Sequence, residues 1–476
     1  MISHGVPDQP LACPRVTINN LPDEDLLEIF DFYMANSRPS SSYEEDAWHT
    51  LVHVCRRWRY VVFGSPRRLD LRLLCMNGRL MKTLDIWPKL PIVIHVDDER
   101  VSQLPSDLSV FKWPDRVCKI FVGGVPNSTL EELATTGGPW PSLIELELMS
   151  FDVDPLVLPD SFLGGSAPSL RSLDLWGIIP FSAIRKLLLS TRDLVTLSLG
   201  FVPPSGCVSP EAMVAILSAL TRLKSLHLIF ESSEFWTHGA NRSPPTQTRV
   251  VLPALTNFEV TGGSEYLEDM VSRIDAPLDC ISVALFDQLV FDIPQLCDFI
   301  GRTKILKAPH RADTFFSNSD SRISLFQRKG DIDFKVLYLE IPCSSHTLDS
   351  QVSLFAQTCS PLLSLPSLEQ LCIYKSGLLL PRWQSAVQNT QWMELLRPFI
   401  TVKDLVLDEP VVLSVASALQ ALVGEQVTEI LPALQNVSLL EGFQSSGPVP
   451  EGIVKFIAAR ELSGRPVIVH HQERKL

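Results

Sequence analysis

The sequence predicts an α/β chain, in which a small helical module at the N-terminus precedes an irregular solenoid with a parallel sheet on one face. Three observations predict it. Two apolar stripes of helical period lie between residues 21 and 62, an aliphatic template of strand character recurs from residue 117 to residue 439, and segments of helical period stand between its copies. At 476 residues the chain exceeds one compact core, as a repeat domain or several domains would.

Residues 1–15 carry no basic start followed by an apolar run, so they are expected to be a flexible N-terminus rather than a secretory signal. Leu21-Pro22 opens the first helix, with proline in the first turn that tolerates it and Asp23, Glu24 and Asp25 at the positive end of the helix dipole. Leu26, Ile29, Phe30 and Tyr33 then fall at three- and four-residue spacing on one face. A second stripe repeats that spacing at Trp48, Leu51, Cys55 and Trp58, widened by Val54, Val61 and Val62. Between the stripes, residues 34–47 (MANSRPSSSYEEDA) read as a flexible polar loop. Helices this short cannot bury two apolar faces alone, so much of that surface needs the rest of the chain or a partner. Periodicity leaves open the plainer reading of two amphipathic helices packed on each other.

Residue identity goes further than periodicity. Leu21-Pro22-Asp23, Ile29-Phe30, Trp48, Leu51 and the run Val54-Cys55-Arg56-Arg57-Trp58-Arg59 stand in the order an F-box uses, and residues 16–66 resemble that module. The inserted loop 34–47 departs from the pattern and bears on how an adaptor would be met. The resemblance implies docking to the SKP-type adaptor of a cullin-RING (SCF-type) ubiquitin ligase. It implies that Leu21, Pro22, Leu26, Ile29, Phe30, Trp48, Leu51, Val54 and Trp58 bear that contact.

Residues 67–110 are expected to link the module to the repeats and cap them, with Leu69-Leu71-Leu73 and Ile92-Ile94-Val96 alternating as strands. Over residues 111–476 the template L-x-x-L-x-L, with any aliphatic or Phe allowed, begins at Val117, Leu143, Leu170, Leu194, Leu223, Leu255, Leu278, Val336, Leu368, Val402 and Leu434. The steps run from 23 to 34 residues except one of 58, where a degenerate unit is expected near Ile305. Pro141, Pro168, Pro253, Pro366 and Pro432 punctuate the strand openings. The intervening FSAIRKLLLS, PEAMVAILSAL, PQLCDFIGR and LSVASALQALV have helical period, and GIVKFIAAREL begins a C-terminal cap. Strand, turn and helix in repetition resemble a leucine-rich-repeat solenoid. The asparagine or cysteine such repeats place after the third aliphatic is missing, since Phe151, Ile178, Val202, Glu231 and Gly263 occupy those positions. Irregular curvature follows from that, and a layered α/β domain of parallel strands stays open. An F-box followed by degenerate leucine-rich repeats resembles the large F-box families of mushroom-forming fungi.

In this arrangement the residues between the aliphatics line the open face of the sheet. That face reads as Glu145, Glu147, Ser172, Asp174, Thr196, Ser198, Ser225, His227, Asn257, Glu259, Tyr338, Glu340, Gln370, Asp404 and Asn436. About twelve strands at about 4.8 Å give a ladder on the order of 50 Å, enough to hold a folded protein or an extended peptide. Its acidic lean points to a protein ligand with a basic stretch, and Glu145, Glu147, Asp174, His227, Glu259, Tyr338 and Glu340 are the candidate contacts. Phe235 and Trp236, in the polar loop 231–248, are further candidates, either as partner anchors or folded back on the repeats.

Composition bounds the function. A formal net charge of -13 argues against nonspecific nucleic-acid or anionic-membrane binding. The arginines 56, 57, 59, 67, 68 and 72 form a basic cluster, read as a solvated face or an acidic-partner contact. Ten scattered cysteines without zinc spacing read as buried thiols of a reducing, intracellular compartment, cytoplasmic or nuclear. No phosphate-cradling, dinucleotide, nucleophile-elbow or zinc-protease motif is present, and His470-His471 supply too few ligands for a metal. The expectation is a non-enzymatic chain without cofactor: a substrate receptor of a ubiquitin ligase, or a repeat scaffold with no role in ubiquitin transfer.

Overall fold

The computed structural model describes residues 18–36, 48–76, 88–96, 113–124, 126–135, 138–150, 152, 156–179, 181–203, 208–231, 249–285, 293–303, 308–317, 320–342, 348–362, 367–375, 389–422, 424–441 and 448–473. Most of the loop 34–47, the expected unit near Ile305, and Phe235 and Trp236 lie outside them. The chain divides into two units, residues 1–121 and 122–476. No helix among the described residues is long and apolar enough to cross a membrane.

Among its described residues the first unit has the α-helices α1 (Asp23–Asn36), α2 (Trp48–Val54) and α3 (Arg56–Gly64). The expected second stripe is therefore two helices, not one. Cys55 breaks it: its backbone is extended (φ -158°), and its Sγ accepts the amide of Trp58 at 3.4 Å, which caps α3. Arg57 ties α3 to the start of α1, donating to Asp23 at 2.7 Å and to the Leu21 carbonyl. Trp48 is buried and donates to the Arg72 carbonyl at 3.0 Å, while Arg59 donates to Val52. Three arginines of the basic cluster thus serve the chain's own architecture, since Arg72 also pairs with Asp70. The strands β1 (Leu73–Met76), β2 (Ile92–Val96) and β3 (Val117–Gly123) follow in that order in a sheet, with the division between units falling inside β3. The first begins later than its alternation predicts, because Leu69 and Leu71 belong to a turn through Asp70 at positive φ (49°).

The second unit alternates strand and helix. Its elements are α4 (Asn127–Thr135), β4 (Glu145–Met149), β5 (Leu156–Val157), β6 (Ser172–Trp176), β7 (Ile178–Ile179), α5 (Phe181–Ser190), β8 (Thr196–Val202), α6 (Pro210–Ala219) and β9 (Ser225–Phe230). Next come β10 (Val250–Val251), β11 (Asn257–Gly262), α7 (Ser264–Ser272), β12 (Ile274–Asp275), β13 (Cys280–Leu285), α8 (Pro294–Arg302), β14 (Arg311–Phe316), β15 (Asp320–Lys329) and β16 (Ile332–Pro342). The chain ends through α9 (Leu348–Leu362), β17 (Gln370–Lys375), α10 (Asn389–Leu396), β18 (Asp404–Asp408), α11 (Glu409–Gln420), α12 (Gln426–Glu429), β19 (Asn436–Glu441), α13 (Glu451–Leu462) and β20 (Ile468–Glu473).

The large sheet of this unit runs β4-β6-β8-β9-β11-β13-β16-β15-β14-β17-β18-β19-β20. The α/β class with a mostly parallel sheet stands. The template aliphatics are its core: Leu146, Leu148, Leu173, Leu175, Leu197, Leu199, Leu226, Leu228, Phe258 and Val260 are all buried. The ladder is not wholly parallel, however. In the 58-residue step β16 pairs with β13, β15 runs antiparallel to both β16 and β14, and β14 returns to the parallel ladder beside β17. A tight hairpin turn at Gly330 (φ 65°) permits that reversal. At the far end α13 is held by Arg460, whose buried guanidinium donates to the carbonyls of Val427 and Leu434, each at 3.1 Å.

Candidate functional site

Two surfaces carry the predicted residues, one in each unit. In the first unit the nine expected adaptor contacts separate by depth. Leu26, Phe30, Trp48 and Leu51 lie in the core and have no surface to offer, so any contribution of theirs to a partner is through holding the helices. Leu21 and Trp58 are half-buried, the latter ring standing 4.7 Å from that of Phe30. Pro22, Ile29 and Val54 are exposed. Sequence reading did not single out Phe32 or Tyr60, although they are 72% and 77% exposed, and Phe32 extends the apolar stripe of Ile29 and Tyr33 one step around α1.

In the second unit, the register sets the predicted face in rows. Glu147, Asp174, Ser198, His227, Glu259, Ser282 and Tyr338 stand opposite one another on successive strands. Two residues before them, on the same face, run Glu145, Ser172, Thr196, Ser225, Asn257 and Cys280. All are half-buried or, for Ser198, buried, because neighbours at strand spacing shade each other.

The β4–β6 corner is acidic. Burial pushes the Glu147 carboxyl up to about 7, and the carboxylates of Asp174 and Glu145 add to the effect. Trp176 Nε1 donates to Asp174, fixing the indole over the adjoining strand. Gly200 leaves the room that ring needs, since a Cβ there would stand 2.5 Å from it.

At the centre His227 bridges two strands. Its Nδ1 lies 2.9 Å from Glu259 Oε2 and its Nε2 lies 2.7 Å from Ser225 Oγ. Asn257 Nδ2 donates to the same Oγ at 3.0 Å. The bond to His227 lowers the Glu259 carboxyl below its ordinary value.

Tyr338 and Glu340 do not extend the acidic corner. The Tyr338 hydroxyl donates to Glu340, and Arg322 reaches the same carboxylate at 3.4 Å while pairing with Asp320 at 2.6 Å. Burial first, and the Glu340 carboxylate second, raise the Tyr338 hydroxyl above its ordinary range. On the next strand Arg311 makes a two-pronged bond to Asp313 at 2.6 and 2.7 Å. Arginine has therefore compensated the acids in this part of the face.

Arg311 and Asp313 were not legible because β14 lacks the aliphatic template, with Ala312, Thr314 and Phe316 at its inward positions, and Arg322 because it lies on β15, inside the 58-residue step. Period-two alternation through RADTFF was the available signal. The Ser225–His227–Glu259 grouping was likewise unread, although its members recur at matching template positions 32 residues apart. Among the described residues no group of three His, Cys, Asp or Glu is placed to hold a metal ion. Neither a protein-family model nor a curated protein matches the chain.

Proposed function

We propose that this chain is the substrate receptor of a cullin-RING ubiquitin ligase, working inside the cell. Its first unit serves as an F-box that docks on the adaptor, and its second serves as a degenerate leucine-rich-repeat solenoid that holds the substrate on the polar sheet face. The observation that carries the reading is the apolar surface left outside three small helices. Ile29, Phe32 and Tyr33 on α1, with Val54 and Tyr60 on α2 and α3, are 38–77% exposed although the same helices have a filled core. This many large apolar side chains exposed on so small a unit fit a docking face better than a solvated one. The acidic corner at Glu145, Glu147 and Asp174 favours a substrate with a basic segment. Bond making belongs to the ligase partners, and the chain contributes proximity.

Co-purification tests this. The intact protein is expected to bring down adaptor and cullin, and an Ile29→Glu, Val54→Glu variant with unchanged circular dichroism to lose both by about tenfold or more. Reversing Glu145, Glu147 and Asp174 to lysine is expected to leave adaptor binding intact while releasing the substrate. An intact protein that binds no adaptor would overturn the receptor reading.

A further inference from the structure

The centre of the sheet face carries a second kind of chemistry, independent of ligase docking. Ser225 and His227 are two residues apart on β9 and so project from one face, with Asn257 and Glu259 opposite them on β11. The distances already given, 2.7 Å from Ser225 Oγ to His227 Nε2 and 2.9 Å from His227 Nδ1 to Glu259, join a hydroxyl, an imidazole and a carboxylate in series. The ring nitrogens of His227 face a carboxylate on one side and a hydroxyl on the other, with Asn257 Nδ2 3.0 Å from that hydroxyl and 3.4 Å from Nε2. Activation of the Ser225 oxygen uses the tautomer in which Nδ1–H donates to Glu259 and Nε2 accepts from the Ser225 hydroxyl, while Oγ accepts from Asn257.

We propose that Ser225 is a nucleophile toward small, activated acyl esters, with His227 as its general base and Glu259 as the group that positions the ring. As Oγ bonds to the ester carbonyl carbon, its proton passes to Nε2 and the carbonyl π pair moves onto oxygen. Asn257 Nδ2, 3.0 Å from Oγ, is the side-chain amide beside the oxyanion that forms. Collapse breaks the bond to the leaving alcohol, which takes the proton from Nε2. Water repeats the sequence, releasing a carboxylic acid and restoring Ser225.

The surroundings set the substrate class. The facing residues on the flanking strands are small, Thr196 and Ser198 on β8 and Cys280 and Ser282 on β13, so an acyl group can approach from solvent. The His227 and Glu259 side chains are 28% and 38% exposed, within reach of it. A single side-chain amide is at hand for the oxyanion, where acyl-transfer sites such as the serine-protease template use two donors. That limits the site to esters whose leaving group departs readily.

A fluorophosphonate probe on the purified full-length protein, with adducts mapped by mass spectrometry, tests the assignment. The expected result is an adduct on Ser225 and turnover of p-nitrophenyl acetate. Both should vanish in Ser225→Ala, and labelling should slow by about a hundredfold in His227→Gln and by about tenfold in Glu259→Gln, with melting temperatures unchanged. No adduct on Ser225 above that on the protein's other serines would overturn the proposal. So would equal labelling rates in the wild type and a folded His227→Gln. Adaptor binding plays no part in this readout, so failure here leaves the receptor reading untouched, and the reverse also holds.

Discussion

Glu147 shows what a crowded sheet face does to one carboxyl group. Unfolded, the group returns to its ordinary value of 4.5; folded, it keeps its proton to about 7, chiefly because it is partly buried and then because Asp174 and Glu145 repel its charge. Between those pH values the folded chain binds the extra proton. The group's stabilising contribution is therefore complete below about 4.5 and is lost as the pH rises through 7. Discounted for partial exposure, the effect is about 1 kcal/mol. Glu147→Gln should raise the melting temperature at pH 8 and leave it nearly unchanged at pH 4.5, and an equal change at both pH values would refute this account. Strand alternation was enough to put Glu147 and Asp174 on one face. Their shared difficulty in ionising was not legible, since it arises from the register Glu147 opposite Asp174, a relation between strands 27 residues apart. Depth was also hidden: helical spacing groups Leu26 with Ile29, but only packing decides that the first is core and the second surface.

Elements followed the sequence where local signals were strong. The helices Phe181–Ser190, Pro210–Ala219 and Pro294–Arg302 lie where their apolar period predicts them, two of them opened by proline at the first position. Signals failed where one residue redirected the chain, as Cys55 does between α2 and α3, or where a strand had no aliphatic pattern, as in β14. The C-terminal element rests on a residue with no pattern at all. Arg460 is fully buried on α13, and burial lowers its pKa, a sign that enclosing this charge is costly. Its guanidinium nonetheless satisfies two carbonyls, that of Val427 on α12 and that of Leu434 between α12 and β19. Arg460→Met keeps the bulk, relieves the desolvation and strands both carbonyls. We expect the loss to exceed the gain, with a fall in stability of about 2 kcal/mol measured by urea unfolding. A more stable variant would mean that the cost of burying the charge dominates.

Within the second unit, the architecture dictates how such damage spreads. Each strand of the large sheet pairs, among the described residues, with its neighbours in the order, and the parallel pairs β4–β6, β8–β9 and β18–β19 join segments roughly one repeat apart in sequence. Pairing of that kind predicts coupling between neighbouring strands, in which distant parts of the ladder open separately. The sequence disclosed this order through its recurring template; it did not disclose the reversal at β15, where the hairpin stands between β13 and β14 and joins the two parallel stretches by antiparallel pairing. Hydrogen exchange on Arg460→Met distinguishes the consequences. If coupling passes only between neighbours, amide protection should fall in β19, α13 and β20 and stay at the wild-type level in β4, β6 and β8, on the other side of the hairpin. Intermediate loss in β17 and β18, stopping at β14–β16, would place the barrier at the reversal, because there the parallel stacking of successive units is interrupted. Uniform loss from β4 to β20 would show that the unit unfolds as one cooperative body, and the nearest-neighbour description would have to be given up.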